Sequence, residues 1–167
     1  MLRKVFLVAA LAACVLAIAA QGAIARGSHG RGVLTNPAGA RAEFNYEVAQ
    51  ILRGQVSRLQ GRFSFAGPVP EGAGRVNISL RQLAHLSVDG SVCEFGGPAV
   101  MLVRRGSQLH EVRGHLRARA HDRRNREHPH GEPDLLALSF SREEEVLYTF
   151  RGAVGPGDLT VFVRRVR

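Results

Sequence analysis

Glu43-Phe44-Asn45-Tyr46-Glu47-Val48 alternates polar and apolar side chains without a fault. Successive side chains of a strand point to opposite faces, so this period of two collects Phe44, Tyr46 and Val48 on one side. Nothing in the stretch repeats at helical spacing. The same period returns along the chain. Leu59, Gly61, Phe63 and Phe65 alternate with Gln60, Arg62 and Ser64, and Val76, Ile78 and Leu80 with Asn77, Ser79 and Arg81. Leu116, Ala118 and Ala120 alternate with His115, Arg117 and Arg119. Leu136, Leu138 and Phe140, then Val146, Tyr148 and Phe150, then Leu159, Val161 and Val163 continue the pattern. Between Leu80 and Leu86 the phase slips, which predicts a bulge or bend near residues 82–85. One apolar and one polar face per strand is the pattern of antiparallel strands with a core on one side and water on the other.

Turn chemistry falls between the runs. Asn36-Pro37-Ala38-Gly39, residues 67–74, Asp89-Gly90, Gly96-Gly97-Pro98, Arg105-Gly106-Ser107 and Gly155-Pro156-Gly157-Asp158 all read as breakers. Asp89-Gly90 reads as a tight hairpin joining Leu86 and Val88 to a strand near Val92. The fold class expected is all-β: an antiparallel meander of about eight or nine strands, forming a barrel or an opened sandwich. Closure would remove edges that invite aggregation.

The N-terminal residues carry an address. Arg3 and Lys4 precede an uncharged run over residues 5–20, and Ala23-Ile24-Ala25 supplies a small-x-small cleavage pattern. Residues 1–25 therefore read as a secretory signal peptide, cut after Ala25, leaving residues 26–167 as one β domain. Leu11-Ala12-Ala13-Cys14 also fits a lipoprotein box, so a tether through Cys14 is the alternative to a free secreted or periplasmic protein. No later segment has the roughly 20 apolar residues a spanning helix needs. With the leader removed, Cys93 is the one cysteine left, either a small buried side chain or an unpaired thiol.

The chain is basic, with 23 Lys and Arg against 14 Asp and Glu. Past Lys4 every cation of that count is arginine. This excess favours acidic partners such as anionic polysaccharide or lipid headgroups. Residues 104–126 concentrate it, with eight arginines against Glu111 and Asp122. Arg113, His115, Arg117, Arg119 and His121 share one parity and so one strand face; Arg123, Arg124 and Arg126 carry the charge into the loop that follows. Guanidinium forks bind phosphate, sulfate and carboxylate bidentately. No aromatic residue lies between Phe95 and Phe140 and Trp is absent, so this face lacks a stacking platform and shows no specific nucleic-acid signature.

Residues 121–133 hold no apolar side chain but proline and read as a long Arg/His-rich loop. His121, His128 and His130, with Asp122 or Glu127, are candidate zinc or copper ligands. Asp122, Glu132 and Asp134 are candidate calcium ligands, although Arg123, Arg124 and Arg126 compete for those carboxylates. The simpler alternative is that Asp122 and Asp134 accept hydrogen bonds from backbone donors at strand ends. Neither set commits the chain to a metal, and no cofactor is implied. Nucleophile-elbow, zinc-protease and phosphate-loop motifs are absent, and Glu143-Glu144-Glu145 reads as a solvated turn.

Val88-Asp89-Gly90, Gly96-Gly97, Val112-Arg113-Gly114, Ala120-His121-Asp122, Gly131-Glu132-Pro133-Asp134, Tyr148 and the glycines of residues 152–157 occur in a telling order. In that order the chain resembles the bacterial secreted β domains labelled post-COAP-1, and residues 30–48 resemble their opening Gly-x-Gly and aromatic strand. The Arg/His insertion between Asp122 and Gly131 departs from that pattern, as does the missing spacer before Asp134. The resemblance implies an extracellular all-β module with no established activity. The expectation is a secreted, non-catalytic module of the cell envelope or extracellular space that binds acidic polymers through the Arg/His face. Its alternatives are a lipocalin-like carrier of a small ligand, and a metal-binding protein or enzyme built on the His-rich loop.

Overall fold

A computed structural model describes residues 22–124 and 131–166. Nine strands account for most of them: β1 (Ala23–Thr35), β2 (Arg41–Arg53), β3 (Val56–Pro68), β4 (Arg75–Leu80), β5 (His85–Asp89), β6 (Val92–Arg105), β7 (Gln108–His121), β8 (Leu135–Arg142) and β9 (Glu145–Val166). Every pairing is antiparallel. The strands run in the order β4-β3-β2-β1-β9-β8-β7-β6-β5, and a further pairing of β4 with β6 closes the sheet. The result is an eight-stranded barrel with β5 as an extra strand, so the barrel and not the opened sandwich is the architecture.

The alternation puts the apolar parity inside. Phe44, Tyr46 and Val48 of β2, Phe63 and Phe65 of β3, Phe95 of β6, Leu116 of β7 and Phe140 of β8 are all buried. Tyr46 stacks on Phe95 with ring centroids 5.1 Å apart, and Phe65 tilts against Phe150 at 5.3 Å. Eight strands enclose a lumen that side chains of this size can fill. The opposite parity of β2 and β7, from Glu43 to Arg119, faces water. That polarity is the reverse of a membrane-spanning barrel, which presents an apolar band to lipid. No helix among the described residues is long and apolar enough to cross a membrane.

Two-residue hairpins close where the sequence places them. Asp89 pairs with Val92 across Gly90 (φ 54°), and Arg105 pairs with Gln108 across Gly106 (φ 60°). Arg142 pairs with Glu145, which makes the glutamate cluster a turn. The phase slip is a bend: residues 81–84 leave the β4 line, and the amides of Arg81 and Ala84 donate to the carbonyls of Pro98 and Gly96. β5 then resumes alongside β6.

Two expected breakers are not breaks. Gly96-Gly97-Pro98 lies inside β6, and Gly155-Pro156-Gly157-Asp158 lies inside the 22-residue β9. Both mark places where a continuous strand is deformed. At Gly97 (φ 156°) an added Cβ would sit 2.2 Å from the Gln82 carbonyl oxygen, so glycine alone lets the bend pack against β6. In β9 the register against β1 shifts between Gly32 and Leu34, which bulges the strand. β1 begins at Ala23, so the cut expected after Ala25 falls inside this strand. The remainder of the leader, with Cys14, lies outside the described residues.

Candidate functional site

β7 builds its outer face from alternate positions. Arg113, His115, Arg117 and Arg119 are exposed, while Val112, Leu116, Ala118 and Ala120 between them are buried. The register sets His115 beside Pro98 and Ser141, and Arg117 beside Gly96 and Ser139. Pro98 and the two serines are short, and the His85 ring lies over Gly96, so no acidic side chain stands beside the two cations at these positions. At the flanks, Arg119 lies 3.4 Å from Glu94, and Arg113 lies 3.4 Å from Glu111. Both pairs are exposed to water, where such contacts hold a side chain only weakly. His115 and Arg117 have no carboxylate partner among the described residues.

The stripe does not continue unchanged into the loop. Arg123 is half-buried and ion-paired with Glu132, and its backbone N–H donates to Asp134 Oδ1 at 2.9 Å. The Arg124 N–H donates to the same oxygen at 2.9 Å, and its guanidinium reaches the Val154 carbonyl at 3.3 Å. These two arginines therefore fold the loop against β9 and are not free members of the basic face. Arg126 lies outside the described residues.

Asp122 and Asp134 form a clasp at this end of the barrel. Both are buried, at 5% and 2% exposure. Asp122 Oδ2 accepts from the Val161 N–H at 3.1 Å, and the Asp134 carbonyl accepts from the Val154 N–H at 2.8 Å. Asp122 Oδ1 is buried without a hydrogen-bond partner. Burial pushes the Asp122 carboxyl above the usual carboxylate range, and the Asp134 and Asp158 charges add to it against the opposing Val161 bond. Both carboxylates thus serve backbone donors at strand ends, the simpler of the two readings of the sequence.

The metal candidates are dispersed. His115 is exposed on the outer face, His121 is half-buried, and Asp122 turns inward. Glu132 is taken by Arg123 and Asp134 by the loop backbone. Among the described residues no group of three or more His, Cys, Asp and Glu could hold a metal ion. Glu127, His128 and His130 lie outside the described residues.

The lumen and its mouth hold further polar and titratable groups. Cys93 is fully buried, and burial pushes its thiol up to about 12, which keeps it protonated and unreactive. Tyr46 and Ser28 share a buried 2.8 Å hydrogen bond, and Ser28 donates to the Thr160 carbonyl at 2.8 Å. At the opposite end an open cleft of about 1090 Å³ lies between the β6–β7 hairpin and the β8–β9 turn. Met101, Val103, Val112 and Leu147 give it apolar walls; Arg105 and His110 face Glu143 and Glu145 at its rim.

The sequence does not reveal a second cationic patch, on the outer face of β1 and β9. His29 packs on Phe162 with ring centroids 5.8 Å apart, and the Arg164 guanidinium sits 4.9 Å from the same ring. More than 130 residues separate His29 from Phe162 along the chain, and the pairing of β1 with β9 sets Gly27 opposite Phe162. The local signal is slight: His29-Gly30-Arg31 and Phe162-Val163-Arg164 each alternate over three residues. No protein-family model, curated protein or solved structure matches the chain.

Proposed function

We propose that this chain is a secreted, non-catalytic β-barrel module that binds acidic polymers through the outer face of β7. One observation carries the reading. His115 and Arg117 stand exposed without carboxylate partners among the described residues, and the side chains set beside them are the short Pro98, Ser139 and Ser141 and the His85 ring over Gly96, none of them acidic. Arg113 and Arg119 flank them with weak, water-exposed ion pairs that an incoming polyanion can exchange. Repeated charges along a polymer suit a stripe whose cations recur every second residue of a strand. The leader and the resemblance to post-COAP-1 domains belong to the same reading, an extracellular module.

The test is retention on an anionic matrix. Replacing Arg113, Arg117 and Arg119 with Gln lowers the eluting salt strongly, and lowers the log–log salt slope of binding by roughly 2. Replacing the exposed Arg41, Arg53 and Arg58 with Gln removes the same charge and has a much smaller effect. Equal losses in the two triple variants would reduce the interaction to net charge and sink the face.

A second reading, a carrier of a small amphipathic ligand, draws on the cleft at the barrel mouth. The lumen itself is filled by Phe44, Tyr46, Phe63, Phe95 and Phe140. A ligand would therefore lie between Met101, Val112 and Leu147, not at the barrel centre.

A further inference from the structure

Several aliphatic side chains are exposed, Val163 and Leu109 among them, but among the described residues Phe162 is the one phenylalanine or tyrosine that is not buried. It is half-exposed, on the outward parity of β9, where Leu159 and Val161 take the inward positions. An aromatic ring there packs no core. His29 and Arg164 bracket it, and beside it runs a groove of about 610 Å³ whose walls include Arg31, Asn45, Glu47 and Asp158. This patch is joined to the β7 stripe: Asp122 follows His121 directly and accepts from the N–H of Val161, the residue before Phe162.

We infer that the Phe162 patch is a sugar-binding subsite that makes the polymer of the β7 face an anionic polysaccharide. The inference rests on the polyanion reading proposed above and narrows it. The chemistry of the groove carries the choice. Arg31, Arg164 and His29 match carboxylate or sulfate groups. Asn45, Glu47 and Asp158 offer acceptors within the same groove, and these match hydroxyl donors. Arg62 also lines the groove and lies 3.6 Å from Glu47; a phosphodiester backbone offers no donor to the acceptors here, whereas a sugar hydroxyl does. The exposed part of the Phe162 ring provides the apolar surface on which the C–H face of a pyranose lies. A polyuronate carries all three features in every residue: a carboxylate, hydroxyls and a ring face.

The chain contains no Trp, so Phe162→Trp places a single fluorophore in the proposed subsite. Oligogalacturonate, inorganic polyphosphate of matched charge and a single-stranded DNA oligomer serve as probes at the same ionic strength. The expected result is that oligogalacturonate shifts the Trp emission with the half-saturation of its binding, whereas polyphosphate binds without moving it. A Phe162→Leu variant keeps bulk over Gly27 and removes the ring; it loses about tenfold in affinity for oligogalacturonate, equivalent to about 1.4 kcal/mol, and nothing for polyphosphate. Oligogalacturonate binding that depends on Arg117 but leaves the emission and the Leu variant unchanged would overturn the subsite and leave the β7 face standing. Tighter binding and a larger emission change with DNA would overturn it in favour of base stacking. Absence of binding by all three probes would overturn the polyanion reading itself.

Discussion

β1 and β7 are strands of nearly equal length that use their inward positions in opposite ways. β7 sends Val112, Leu116, Ala118 and Ala120 into the lumen and so contributes mass. β1 presents Ser28, Gly30 and Gly32 opposite Val48, Tyr46 and Phe44 of β2, and contributes room. An added Cβ on Gly30 would lie 3.1 Å from ring carbons of both Phe44 and Tyr46, and 2.9 Å from the Asp158 carbonyl oxygen. The aromatic core of β2 fits because its neighbour is nearly empty. Both strands nevertheless place cations on the outer wall, His29 and Arg31 on one, His115 and Arg117 on the other. The inner face sets the packing, while the outer face is free to carry charge.

Breaking the room of β1 has the largest expected effect. Gly30→Val forces three heavy atoms into space held by two rings and a backbone carbonyl. Overpacking of this kind costs roughly 1–3 kcal/mol where neighbours can shift. Here one neighbour is backbone, so a loss of about 3 kcal/mol or more is expected, read as the midpoint of urea unfolding. The same substitution at the exposed Arg117 adds no inward volume and leaves the midpoint nearly unchanged. A Gly30→Val protein as stable as the parent would mean that β1 does not sit against the β2 rings.

Ser28→Ala is the next step down. Ser28 accepts from the Tyr46 hydroxyl while donating to the Thr160 carbonyl, and both side chains are buried. Removing the serine oxygen leaves the Tyr46 hydroxyl without its acceptor, a cost of about 2 kcal/mol. Tyr46→Phe in the same background restores part of that loss, because no donor is then stranded. Additive losses in the double variant would show that the two groups do not act as a pair.

This contrast also explains what could be read from the amino acids. β2, β7 and β8 declare themselves because their inward residues are large and apolar. β1 has no such alternation: its inward residues are small because β2 fills the space, a fact held in another strand. Gly96-Gly97-Pro98 and the glycines near Pro156 look like turns for a related reason. Glycine permits a chain reversal, a bulge and a close approach within a continuous strand, and only the partners decide: β1 selects the bulge near Pro156 and the 81–84 bend the close approach at Gly97. Arg113, His115, Arg117 and Arg119 were visible as one face because a single strand carries them. The patch of His29, Phe162 and Arg164 was not, because pairing across more than 130 residues assembles it. Arg123 and Arg124 read as free charge until Asp134 and the Val154 carbonyl are placed beside them.

The smallest expected effect lies where the two strands are tied together. Asp122 directly follows β7, and its Oδ2 accepts from the N–H of Val161, the residue paired with Ser28 of β1. Its other oxygen is buried without a partner, and burial raises the folded carboxyl above its unfolded value. The folded chain therefore holds this proton at a pH where the unfolded chain has released it. Stability from that proton is fully present in acid and is lost as pH climbs through the raised value. Asp122→Asn keeps an oxygen for Val161 and cannot ionise. The variant is therefore expected to match the parent below about pH 3 and to exceed it near about pH 8, read as the difference in Tm between the two proteins at each pH. A difference that does not change between the two pH values would mean that Asp122 is ionised in the fold and that the β7–β9 tie is a simple charge-assisted bond. A difference that grows with pH makes the junction of the two strands a place where the buried face of the barrel responds to the solvent.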